Sequence, residues 1–88
     1  MAAQYQSHNG GAVQTLRYLS GERQVEVGVF EAGEHQFTLD RRQTVRVLDG
    51  HMSVNGDTLL VGAEREFNAG DTVLIVCDGP VAYICFYA

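Results

Sequence analysis

Gln24-Val25-Glu26-Val27-Gly28-Val29-Phe30, running on through Glu31-Ala32-Gly33-Glu34-His35-Gln36-Phe37, alternates apolar and other side chains with a period of two and then breaks at a glycine. That period belongs to a strand with one buried face, because successive side chains of an extended chain point to opposite sides. Val25, Val27 and Val29 form the apolar face, and Gln24, Glu26 and Gly28 the wetter one. Thr44-Val45-Arg46-Val47 repeats the pattern. Working outward, turn signals fall at Ser20-Gly21-Glu22, Ala32-Gly33, Asp40-Arg41-Arg42, Asp49-Gly50, Asn55-Gly56, Ala69-Gly70-Asp71 and Asp78-Gly79-Pro80. They divide the chain into short segments rich in β-branched residues, and no stretch shows a 3.6-residue period. Strands are expected near Ala12–Tyr18, Gln24–Phe30, His35–Leu39, Thr44–Asp49, Met52–Val54, Thr58–Val61, Asp71–Cys77 and Val81–Tyr87. Asn55-Gly56 is the strongest hairpin signal, since a type I′ turn needs positive φ at both central residues. The reading is an all-β chain folded as a compact barrel or jelly roll.

A chain of 88 residues makes one domain with a small core, for which oligomerisation is a common remedy. Val73-Leu74-Ile75-Val76 has no polar face, which suits a strand covered on both sides, and a homodimer contacting through a strand-rich face is the expected assembly. Residues 1–10 read as a flexible leader and residues 11–88 as the single domain. All six basic residues are arginine, against eleven acids, for a net charge of −5. That balance opposes the phosphate attraction that nucleic-acid polymers rely on. No apolar run is long enough to span a bilayer and the first residues lack a signal-peptide pattern, so a cytoplasmic location is expected. Cys77 and Cys85 have no CxxC spacing and read as reduced core residues.

Chemistry is sparse by motif. His8 falls in the polar leader, and His35 and His51 lack the close second ligand that compact metal sites prefer. Neither a Gly-x-Ser-x-Gly elbow nor a glycine-rich phosphate loop is present. Arg41, Arg42 and Arg46 form the densest basic cluster. A guanidinium fork grips phosphate or carboxylate with two parallel bonds, so this cluster is a candidate anion site; pairing with Asp40 and Asp49 is the plainer alternative.

The stretch from Gly11 to Ser20, followed by VEVGVFEAGEHQF, VRVLDGHMSV and the terminal VAYICFY, resembles the small single-domain cupins of the pyrimidine/purine nucleoside phosphorylase family. The ordered features are Gly11, Val27-Gly28-Val29, Gly33-Glu34, Phe37, Gly50 and Tyr83-x-Cys85-x-Tyr87. The resemblance implies a single cupin barrel over residues 11–88. Gly28, His35, Phe37, Gln43 and Gly50 fall at the places of the first metal-binding cupin motif, with only one histidine kept, so a divergent member that has lost its metal motifs is implied. The implied activity is metal-independent phosphorolysis: a purine or pyrimidine nucleoside and inorganic phosphate, the co-substrate, give free base and pentose 1-phosphate. No other cofactor is expected. By this analogy His35 and Gln43 are the catalytic candidates, His35 as proton donor and Gln43 as hydrogen-bond partner of base or sugar. Phe37 would stack on the base, Arg41 or Arg42 would hold phosphate, and Tyr83 would offer a hydroxyl. The alternative is a cupin without turnover that binds or sequesters a nucleoside, nucleotide or sugar. Partners are thus small molecules, and neither a nucleic-acid polymer nor a membrane.

Overall fold

The computed structural model describes residues 4–88, apart from the side chains of His8 and Asn9. Ten strands follow in order: β1 (Gln4–His8), β2 (Val13–Ser20), β3 (Arg23–Phe30), β4 (Gly33–Thr38), β5 (Gln43–Asp49), β6 (Met52–Val54), β7 (Asp57–Leu59), β8 (Glu64–Phe67), β9 (Thr72–Cys77) and β10 (Val81–Tyr87), with a 3₁₀ turn at Asn9–Gly11. They form a six-stranded sheet, β1-β2-β3-β10-β5-β8, and a four-stranded sheet, β4-β9-β6-β7. All pairings are antiparallel. The architecture is all-β, with two sheets facing each other across the core rather than hydrogen-bonded into the one closed barrel expected.

Two strands depart from the sequence reading. Residues 4–8 of the expected leader form β1, with Gln4 opposite Arg17 and His8 opposite Val13; residues 1–3 and the side chain of His8 lie outside the described residues. Glu64–Phe67, expected to connect strands, forms β8 against β5. Both are sheet edges composed mainly of polar residues, QYQSH and EREF. An edge strand gains its order from ladder hydrogen bonds on one side and needs no continuous apolar face, so alternation does not reveal it. The Asn55-Gly56 hairpin is as expected: φ is 48° and 89° at its two residues, and Val54 pairs with Asp57.

The core lies between the sheets. Val45, Val47, Met52, Val54, Phe67, Val73, Ile75, Val81, Tyr83 and Cys85 are buried in one cluster, so β5 turns its valines inward as its alternation requires. On β3 the faces are reversed. Glu26 and Phe30 face the interior, whereas Val25 is buried outside the main cluster and Val29 is exposed. On β9, Val73 and Ile75 are buried and Leu74 is exposed. Cys77 and Cys85 are both free and buried.

Candidate functional site

The reversal on β3 creates the site. Cross-strand register sets rows of side chains on the inner face of the large sheet. Thr15, Gly28 and Tyr83 form one row; Arg17, Glu26, Cys85 and Val45 form the next; Tyr87 faces Gln43 beyond them. Opposite stand Phe37, Val73 and Ile75 of the small sheet. Between the sheets is a cavity of about 170 Å³, lined by these side chains together with Phe30, Phe67 and the Thr38–Asp40 turn.

One wall is a polar network. Arg17 donates from Nη2 to Glu26 Oε1 at 3.1 Å and to the Tyr87 hydroxyl at 3.0 Å. The Tyr83 hydroxyl donates to Glu26 Oε2 at 3.2 Å. Glu26 is only 8% exposed, and a buried carboxylate is tolerable where a cation and hydrogen-bond donors face it. Two polar atoms beside this network, Thr15 Oγ1 and Arg17 Nε, are buried without a hydrogen-bond partner among the described residues. Buried polar groups are rarely left so, and these two lie on one face of one strand; His35 Nδ1 is a third, away from the network.

Burial, reinforced by the charge of Glu26, keeps the neighbouring acids protonated. Cys85 is pushed up to about 12, and Tyr83 and Tyr87 are raised above the usual phenol range by the same two causes. None supplies a thiolate or phenolate near neutral pH. The folded protein therefore holds protons that the unfolded chain releases from about pH 9 upward, and stability falls as pH rises from there toward 12. Thermal melts between pH 8 and 11 should show this decline, with a shallower slope for Cys85→Ala; equal slopes would assign the decline to other groups.

The expected site residues divide into two sets. Phe37, Gln43 and Tyr83 line the cavity. His35, Arg41 and Arg42 do not. His35 is 3% exposed, donates from Nε2 to the Glu31 carbonyl oxygen at 2.7 Å and stacks on Phe30 with ring centroids 5.3 Å apart. Arg41 binds the Gln24 side chain and the Ala88 carbonyl oxygen in a second, open cleft. That cleft meets the cavity at Tyr87, and the guanidiniums of Arg17 and Arg41 lie 4.9 Å and 5.0 Å from its ring centroid. Arg42 pairs with Glu66, both largely exposed, and Arg46 pairs with Glu64. Exposed pairs of this kind contribute little, so Arg42→Ala is expected to leave stability within about 0.5 kcal/mol of the parent in urea titration.

Sequence reasoning missed Arg17 and Glu26. The available signal was Glu26-x-Gly28, a carboxylate and a glycine on one face of an otherwise valine strand. The residues at the cupin metal positions do not fit a divalent ion: one imidazole already bonded to a carbonyl, one apolar ring and one neutral amide. Among the described residues, no three His, Cys, Asp or Glu side chains gather as a ligand set. No helix among them is long and apolar enough to cross a membrane.

Two facing antiparallel sheets around an interior cavity define a small cupin. A Vibrio parahaemolyticus protein of unknown function superposes with a TM-score of 0.94 at 22% identity over the whole of both chains. An RmlC-like cupin from Shewanella frigidimarina superposes at 0.76 with 17% identity, covering 97% of this chain and 82% of the other. No family model matches the chain. Among curated relatives, the pyrimidine/purine nucleoside phosphorylase of Edwardsiella ictaluri is 34% identical over 90 residues, 88% of each chain. That of Shewanella pealeana is 30% identical over 87 residues, 88% of this chain and 89% of its own. The chain belongs to the pyrimidine/purine nucleoside phosphorylase family.

Proposed function

We propose that the inter-sheet cavity carries out metal-independent phosphorolysis of nucleosides, with Arg17 and Glu26 as its charged centre. The observation that carries this reading is the buried Arg17–Glu26–Tyr83–Tyr87 network with unsatisfied donors at Thr15 and Arg17. The relatives' names specify nucleoside phosphorylases, whose substrates are a nucleoside and phosphate.

In this reaction an oxygen of dihydrogen phosphate forms a bond to the anomeric carbon while the bond from that carbon to the base nitrogen breaks. The electron pair leaves with the base. The proton released from phosphate as it becomes the ester ends on the base, so nucleoside and phosphate are converted to base and pentose 1-phosphate without any other reactant. Arg17 is the phosphate ligand, through the Nε–H that has no partner among the described residues. Glu26 places negative charge beside the oxocarbenium-like centre that develops as the bond breaks. In a water-poor cavity such fixed charges act more strongly than in solution. Gln43 and Phe37, near the open side, meet the base, Gln43 by hydrogen bonding and Phe37 by stacking.

Incubating the protein with mixed nucleosides should release free base only when phosphate is present, with pentose 1-phosphate formed in equal amount. A thermal shift with nucleosides but no base release at high protein concentration would support the binding protein without turnover. Unchanged release by Arg17→Ala would move the reaction out of this cavity.

A further inference from the structure

The cavity is too small for a whole nucleoside. At about 170 Å³, it compares with cavities of about 150 Å³ that admit a single benzene ring. One half of the substrate enters, and the other stays at the open side. A pentose, a pyrimidine and a purine are of similar volume, so size admits one half without choosing which.

The chemistry of the inner wall distinguishes the two halves. Glu26, an acceptor only, already takes one hydrogen bond on each oxygen, from Arg17 and Tyr83. A carboxylate has further lone pairs, and these suit groups that donate. Thr15, 4% exposed, holds a hydroxyl with no hydrogen-bond partner among the described residues, one register row from Glu26. A hydroxyl that both donates and accepts, beside an acceptor, complements sugar hydroxyls, which do the same. The facing wall of Val73 and Ile75 is apolar, as is Phe30 at the end of β3 beside Glu26, and suits the C–H face of a pentose. At the open side stand half-buried Phe37 and Gln43, an aromatic ring and a rotatable amide. Neither fixes one pattern of donors and acceptors, so neither demands a particular base.

We infer that the pentose, not the base, occupies the inner cavity, with Glu26 and Thr15 taking its hydroxyls and the base remaining at the open side between Phe37 and Gln43. The inference rests on the phosphorolysis reading for its substrate class, but it concerns which half of that substrate the protein recognises. Specificity then resides in the sugar. Glu26 and Thr15 are its determinants.

The test compares kcat/KM for ribonucleosides and their 2′,3′-dideoxy counterparts, each with uracil and hypoxanthine as base. Loss of the hydroxyls should reduce kcat/KM at least tenfold, and exchange of base less than tenfold. Glu26→Gln should narrow the sugar discrimination to within about threefold and leave the base ratio in place, the direction a lost charged hydrogen bond gives. Thr15→Val, close to isosteric, keeps the test available if Glu26→Gln fails to fold, and should narrow it in the same direction. A base effect larger than the sugar effect, or sugar discrimination untouched in the folded variants, would overturn the inference. If no nucleoside is turned over, the phosphorolysis reading falls, and thermal shift then decides the pose separately. Ribose 1-phosphate should raise Tm where uracil or hypoxanthine alone does not, and the reverse order would overturn the sugar-inward placement.

Discussion

Arg17→Ala is expected to reduce phosphorolysis by about 10²–10³ in kcat, the range found when a preorganised hydrogen-bond donor at a reacting centre is removed. It is also expected to destabilise the fold. Arg17 is the cation opposite Glu26, whose side chain is 11% exposed against 30% for Arg17. Removing it leaves a carboxylate that is nearly dry and held by the Tyr83 hydroxyl. Breaking a fully buried pair costs about 3–5 kcal/mol, and the partial exposure of Arg17 reduces the expectation here to about 1–3 kcal/mol. The two effects separate in a double replacement. Arg17→Leu with Glu26→Leu removes both charges together and should recover most of the lost stability, since an apolar pair of similar volume often equals a buried ion pair. Activity should not return. Urea titration and kcat on the single and double variants check both halves; an active double variant would show that the pair serves the fold alone.

Burial of apolar surface was legible in the sequence, while the polar interior was not. Val45 and Val47 alternate with Thr44 and Arg46 and are buried as that alternation requires. Asn55-Gly56 marks its hairpin because few other dipeptides supply positive φ twice. β1 and β8 escaped notice because their order comes from partners far along the chain: Tyr5 faces Leu16, and Arg65 faces Val45. Glu26 was assigned to the wetter face for the same reason. Its partner, Arg17, is brought opposite by the β2–β3 register, and once the pair exists the carboxylate belongs inside. His35 and Phe37, two residues apart on β4, share the face that points between the sheets. The Phe30 ring, packed against both, lines the cavity with Phe37 while His35 does not, a distinction that depends on ring packing rather than strand period.

Gly28→Ala should lower both stability and activity, although it adds one methyl group to a strand. A Cβ at Gly28 would lie 2.6 Å from the Tyr83 hydroxyl oxygen, 2.7 Å from Cζ and 2.8 Å from Cε1. Those atoms have little room to retreat. The Tyr83 ring stacks on Phe30 with centroids 4.6 Å apart and planes 17° from parallel, and its hydroxyl is tied to Glu26. Overpacking of this kind costs about 1–3 kcal/mol, and for a domain of this size each kilocalorie lowers Tm by about 4–8 °C. Tyr83 displaced from Glu26 also loosens the carboxylate assigned to the reacting centre, so kcat/KM should fall with Tm. Space, rather than backbone freedom, is the cause, and this makes the effect conditional on Tyr83. In Tyr83→Leu, which removes the ring, a further Gly28→Ala should cost much less than it does in the parent, a coupling between contacting residues that a double-mutant cycle reads directly. Equal costs in the two backgrounds would show that Gly28 is needed for some reason other than the close approach of this ring.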